Sequence, residues 1–274
     1  MLGKLLKHEF VATGRIMLPV LAAVTGITLL ANLMLRFGDV LAEKLRLLMV
    51  LFVLVVFAAV VALIAAEIMT IVMMVLRFHH HLLGSEGYLT HALPVNVHEL
   101  VWSKLIVSAV WIIVTNLLAF LLVCLSVLFV GRMNLGELLR GFPSWNEILL
   151  FLEELGISRS RVILFLVEFI LGIFLSMLST CLHFYAAMAL GHMFSKDKVL
   201  LSIVFFVGIS IVFGILNSVV TVTGQLVLPG IQTAEDTLFS VSMLIRGSLF
   251  LELIEAGLLY AATVLGLKKG LNLA

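Results

Sequence analysis

Charge is what this chain has least of. Asp, Glu, Lys and Arg together make up 12% of its 274 residues, about half the share of a soluble domain. Apolar residues fill 63% of it, and the mean hydropathy is +1.26. A soluble fold is excluded, because its surface needs more polar side chains than this chain supplies. The few charges almost cancel, leaving a formal net charge of +1. No basic field attracts nucleic acid. Cysteine is nearly missing too. Cys124 and Cys181 each sit inside an apolar run, so they read as small buried side chains rather than a disulfide framework.

Catalytic signatures are absent as well. The pattern G-x-x-x-x-G-K-[ST] does not occur, and Gly3-Lys4 is followed by Leu5. A nucleotide-binding loop is therefore not encoded. His98-Glu99 has Trp102 where an H-E-x-x-H zinc helix needs its second histidine. No G-x-S-x-G elbow appears. His79, His80 and His81 are consecutive, so a helix fans them by about 100° each, whereas metal helices place ligands four apart on one face. No metal site is expected. The three rings read as a polar cuff where a span leaves the membrane.

What is present is a series of long apolar runs. Residues 2–10 put Leu2, Leu5, Leu6 and Phe10 on one helical face, with Lys4, Lys7 and His8 off it. That pattern predicts a short amphipathic helix on the membrane surface. The first span follows at 16–35, and its length suits a membrane crossing better than a cleaved signal core. Span two covers 47–76, broken only by Glu67. About 30 helical residues run ~45 Å, longer than a ~30 Å hydrocarbon core. Asn96-Val97-His98-Glu99 has the form of a capping box opening span three, which runs to about Val130. Trp102 and Lys104 suit the interface, the ring at the headgroups and the ammonium snorkelling outward.

Residues 131–160 form the longest polar gap. Inside it, Ser144-Trp145-Asn146-Glu147 is a second capping box. The helix it opens is expected to stop before Gly156 and to rest its leucines and Phe151 on the membrane surface. Span four covers 162–190, span five 199–220 and span six 244–267. Six spans put both termini on one side. Lys and Arg number nine on the side of the termini and eight on the other, too even for the positive-inside rule to orient the chain.

Four acids lie within these runs: Glu67, Glu168, Glu252 and Glu255. An acid in lipid costs several kcal/mol, so each should face the bundle or a water-filled path. They are candidate translocation-pathway residues. The structural alternative is an acid that stitches helices together, with Arg161 or Arg246 as a partner near the outer surface.

The segment R-F-H-H-H-L-L-G-S-E-G-Y-L-T-H-A-L-P-V, from Arg77 onward, is far more polar than its flanks and holds a proline. Gly84 can end span two in the left-handed conformation that glycine tolerates. Ser85-Glu86-Gly87 turns the chain. Tyr88 to Leu93 form a turn or two of helix, ended by Pro94. Tyr88, Leu89 and Leu93 are then exposed apolar residues that want a partner.

This segment resembles R-F-Y-K-N-L-L-G-D-E-G-Y-L of one group of bacterial ABC-2-type exporter permeases from Gram-positive anaerobes. The start M-L-G-K-L-L-K-H-E-F and the turn G-H-M-F-S-K-D-K-V-L are similar to that group as well. The likeness covers most of the chain, the last third mainly by hydropathy. His79-His80-His81 depart from Tyr-Lys-Asn and remove a lysine.

The resemblance implies an all-α integral membrane protein of six transmembrane helices, with the N-terminal stretch as an elbow helix and a short cytosolic coupling helix between spans two and three. It implies one permease domain over residues 1–274 without a nucleotide-binding domain. The coupling set would be Gly84, Ser85, Glu86, Gly87, Tyr88, Leu89, Leu93 and Pro94. Partners would be an ABC ATPase subunit in two copies, a second permease, identical or homologous, and membrane lipid. The chain would hold no cofactor, with ATP and Mg in the ATPase. The cargo would be a peptide or an amphipathic small molecule, several relatives being associated with antimicrobial-peptide resistance. The place would be the cytoplasmic membrane of a bacterium, with both termini cytosolic. Two other readings stand beside it: an ion-coupled transporter using the intramembrane glutamates, and an intramembrane enzyme, sensor or assembly factor.

Overall fold

The computed structural model describes residues 2–42, 46–84, 87, 95–131, 136, 143–194, 196–227 and 234–269. Among them there is no strand. The α-helices are α1 Leu2–Ala42, α2 Arg46–Phe78, α3 Val97–Val130, α4 Trp145–Glu154, α5 Arg159–Gly191, α6 Lys198–Val227 and α7 Ala234–Lys269. All but α4 are long and apolar enough to cross a membrane. The chain is an all-α membrane protein.

The helices outrun the apolar runs that predict them. Hydropathy marks where a helix is greasy, not where its hydrogen bonding stops. Thus α1 continues unbroken from Leu2 through Pro19 to Ala42. The expected elbow is not a separate element but the first turns of span one's own helix. Pro19 lacks an N–H, so the Arg15 carbonyl gives up its usual helical partner.

The chain divides into two packing units. The first comprises Met1–Leu76 and Ile106–Phe142. Its core gathers Leu21, Val24, Ala66 and Leu122, with Trp111 and Leu118 packed around them. Polar ties join its helices within this apolar setting. The hydroxyls of Thr70 and Thr115 lie 3.0 Å apart, and Trp111 Nε1–H donates to Thr13 Oγ1 at 2.8 Å. Thr13 in turn donates to the Glu9 carbonyl at 2.7 Å, so the Trp111 and Thr13 donors are both satisfied.

The second unit comprises Arg77–Leu105 and Pro143–Ala274. Here α5, α6 and α7 pack against one another, with α4 against α5. The Ser144 capping box forms as predicted: Glu147 N–H donates to Ser144 Oγ at 3.3 Å, and Ser144 N–H to Glu147 Oε2 at 2.7 Å. Gly156 ends α4 at φ +81°. Its N–H donates to the Glu153 carbonyl and Ile157 N–H to the Leu152 carbonyl, the two bonds of a Schellman stop. Leu149, Ile157 and Val162 close a small core there, while Trp145, Leu150 and Phe151 stay exposed. That leaves an apolar face suited to a membrane surface.

Glycines set how closely the long helices approach. A Cβ on Gly266 would sit 3.0 Å from Ala189 Cβ and 3.2 Å from the Ala189 carbonyl oxygen. The run Tyr185 to Ala189 is correspondingly buried. At the α5–α6 turn Asp197 adopts φ +51°, a conformation its short polar side chain tolerates, and its carbonyl accepts from Leu201 N–H at 2.9 Å.

Candidate functional site

The segment that opens at Arg77 is built into the second unit before it reaches the candidate coupling residues. Span two does not end as a plain α-helix. Residues His79–Leu83 form a π turn, closed by Gly84 N–H donating to the His79 carbonyl at 2.7 Å. Gly84 is extended, at φ −87° and ψ −165°, so the left-handed stop expected there is not used. Glycine is needed for space instead: a Cβ would lie 3.1 Å from the His80 carbonyl oxygen. Gly87 is buried and helical, and its N–H donates to the Gly84 carbonyl at 2.9 Å. The expected coupling residues Ser85, Glu86, Tyr88, Leu89, Leu93 and Pro94 lie outside the described residues.

Two aromatic contacts fasten the end of span two to α5. The Phe78 ring stacks on Tyr185 with centroids 4.0 Å apart and planes 12° apart. Both residues are fully buried. His79 meets His192 edge to face at 5.1 Å. Arg77 Nη1 donates to His81 Nε2 at 2.7 Å, so His79 and His81 each make a specific contact. Phe78→Ala should lower the unfolding midpoint of the protein in lipid nanodiscs sharply, because emptying an aromatic core site costs about 3–5 kcal/mol. Phe78→Leu should recover most of that.

His192 lies just past α5, and its Nδ1–H donates to the Met188 carbonyl at 2.9 Å. Burial holds this imidazole below the ordinary histidine range; the Met188 bond opposes the shift and the Lys198 charge adds to it. The unfolded chain therefore binds the proton more tightly than the folded one. Stability from this site is present above about pH 6.5 and is lost as pH falls through the histidine range. Unfolding midpoints measured at about pH 7.5 and 5.5 should differ more for the native chain than for His192→Gln.

Span three enters the same end. Lys268 Nζ lies 3.4 Å from His98 Nε2, and His98 Nδ1 lies 2.7 Å from the Tyr260 hydroxyl. An ammonium only donates, so Nε2 accepts and Nδ1–H donates to Tyr260. Trp102 is exposed and tilts against Tyr260 at 5.7 Å. Lys104 does not snorkel: it is 5% exposed and has a partner. Position along the sequence gave its depth but not its face.

The four acids have four different settings. Glu67, in the first unit, is half-buried between the buried Ala66 and Thr70. The other three belong to the second unit. Glu168 pairs with Arg246 at 2.7 Å, one of the two arginines expected, and its other oxygen is buried without a partner among the described residues. A cavity of about 290 Å³ lies nearby, lined by Arg161, Arg246, Ser160 and Ser242 with four large apolar side chains. Glu252 is half-buried one turn before Glu255.

Glu255 forms a contact that the sequence reading missed. Its Oε1 lies 3.1 Å from His183 Nδ1, and His183 Nε2 lies 3.3 Å from Ser210 Oγ. The order acid, imidazole, hydroxyl is that of a nucleophilic triad. Ser210 is not set up as a nucleophile, however. Its proton goes to the Phe206 carbonyl at 2.8 Å, and the surrounding backbone N–H groups of α6 are spent within the helix, leaving no oxyanion donors. His183, Ser210 and Glu255 lie on three different apolar helices, α5, α6 and α7, and no spacing along the chain brings them together.

No family model, no curated protein and no solved structure matches the chain. Its site is read from its own residues. Among the described residues, no three His, Cys, Asp or Glu side chains converge to hold a metal.

Proposed function

We propose that this chain is the membrane-spanning permease subunit of an ATP-driven ABC-2-type exporter. It would work with two copies of a separate ATPase and a second permease, identical or homologous, in the cytoplasmic membrane of a bacterium, with both termini cytosolic. Its cargo would be a peptide-like or amphipathic molecule. The resemblance of the 77–94 segment to that family gives the reading its content. One observation carries it mechanically. The ends of spans two and three that flank the 84–94 segment belong to the same packing unit as residues 143–274, and the Phe78–Tyr185 stack and the His98–Tyr260 bond hold them there. A push on the segment from a cytosolic motor is then delivered straight into spans four and six. The absence of a nucleotide-binding loop in the sequence fits a motor on another chain.

Purification in gentle detergent from the native cells tests this. A stoichiometric co-purifying protein with a nucleotide-binding loop and ATPase activity is the expected result. A clean chain without one would sink it. The second reading, an ion-coupled transporter, is favoured by the Glu255–His183 contact. It expects transport by the purified chain alone, driven by an ion gradient.

A further inference from the structure

We propose that Glu255, His183 and Ser210, with Glu252 beside them, form a site that exchanges one proton for one organic cation, the protonated amine of an amphipathic molecule. The hydrogen-bond directions lead there. Ser210 spends its only proton on the Phe206 carbonyl, so its oxygen can only accept from His183 Nε2. His183 Nδ1 faces a Glu255 oxygen at 3.1 Å. The chain of bonds is complete when both ring nitrogens carry protons: Nδ1–H to the carboxylate, Nε2–H to the serine, serine O–H to the backbone. A neutral ring beside an ionised Glu255 leaves one link as two facing lone pairs.

In this state the imidazolium is the counterion of Glu255. The packed helices offer few rivals. The only charged residue of α6, Lys198, stands at its first position, and Glu168 of α5 is paired with Arg246. From α7 the nearby charge is Glu252, which makes no hydrogen bond or ion pair among the described residues. An arriving ammonium replaces the imidazolium beside Glu255, His183 gives up one proton to bulk water, and the net charge of the site is unchanged. Glu252, one helical turn from Glu255, supplies a second carboxyl on the same side of the helix. The neighbouring rings are aromatic: Phe206 and Phe213 lie T-shaped to His183 with centroids at 5.5 and 6.4 Å. Aromatic and apolar walls suit an alkylammonium, which sheds water readily and gains from ring faces, and not a small metal ion, which wants six or so oxygens.

The exchange needs only that the chain carries a substrate, and its test uses no ATPase, so it fails or stands apart from the co-purification above. The full chain in lipid nanodiscs is titrated calorimetrically with dodecylammonium at about pH 6 in two buffers of different ionisation enthalpy. Empty nanodiscs correct for partitioning. One proton released per amine bound is the expected result, with none for dodecanol. Glu255→Gln should abolish the release and weaken binding at least about tenfold, a loss equivalent to one decade in Kd. His183→Gln should bind the amine with no release, and Glu252→Gln should bind more weakly with release intact. Binding to the native protein without release, or release unchanged in Glu255→Gln, overturns the proposal. Should Glu255→Gln fail to fold, release unchanged in His183→Gln does the same. Equal release by sodium ions overturns the amine assignment.

Discussion

Gly191→Ala should lower the unfolding midpoint of the protein by on the order of 10 °C, one of the larger effects available from a single methyl group. The added Cβ would lie 2.5 Å from the Ser202 amide nitrogen and 2.7 Å from Ser202 Cα. Those are backbone atoms in the first turns of α6, held by its own hydrogen bonds, and they cannot swing aside as a side-chain tip would. The turn between α5 and α6 is short, so the strain cannot be relieved by a small rotation of one helix. The helices must part, and the buried run from Tyr185 to Ala189 loses its fit. Overpacking of this kind costs up to about 3 kcal/mol or more. Gly208→Ala is the control. It lies in the same helix pair with nothing within 4 Å of its would-be Cβ, and alanine there should leave the midpoint unchanged or raise it slightly, as helix propensity alone dictates. Equal midpoints for the two variants would mean that the α5–α6 approach is looser than described.

The double replacement Tyr88→Ala with Leu93→Ala should cut the amount of co-purifying ATPase at least about tenfold, as losing two apolar anchors from one contact does. Under the permease reading these residues are the apolar part of the segment that meets the motor. The effect should fall on assembly and not on the bundle, so the unfolding midpoint in nanodiscs should stay within a degree or two of the native value. Phe78→Ala gives the opposite pattern, a lower midpoint from an emptied core. ATPase recovered in native amounts from the Tyr88/Leu93 variant would remove the segment from the interface.

The fold was largely legible because a hydrocarbon solvent leaves few choices. Twenty apolar residues must become a helix there, and six such runs were visible. What hydropathy could not give was where the helices end. It stops counting at Lys7 or Arg36, whereas hydrogen bonding does not, and so α1 absorbed the expected elbow. Local chemistry was read well where it depends on neighbours in sequence. The Ser144–Glu147 box and the Gly156 stop are examples. Gly84 was read correctly as a terminus but for the wrong reason, because a π turn crowds it rather than a left-handed bend.

Side-chain partners across helices were legible only in part. Depth narrowed the partner of Glu168 to two arginines, Arg161 and Arg246, and the structure pairs it with Arg246. His183 had no such prompt. An isolated histidine in an apolar span reads as a packed ring until the rotation of three helices is known, and the apolar pattern around each is too uniform to fix that rotation. Lys104 failed for the same reason: its depth suits an interface, but its direction takes it inside.

The π turn at His79–Leu83 has a consequence for the phase of the chain. A π turn takes one residue more than an α turn to come around. Gly84 is therefore aimed where an unbroken helix of the same sequence would not aim it. Deleting one of the three histidines is then a different operation from replacing it. Replacement changes a ring; deletion removes the extra residue and restores an ordinary turn. Gly84 would swing about 100° around the helix axis, one residue's worth of rotation. The run of three histidines acts as a spacer whose length, as much as its chemistry, decides which way the end of span two faces.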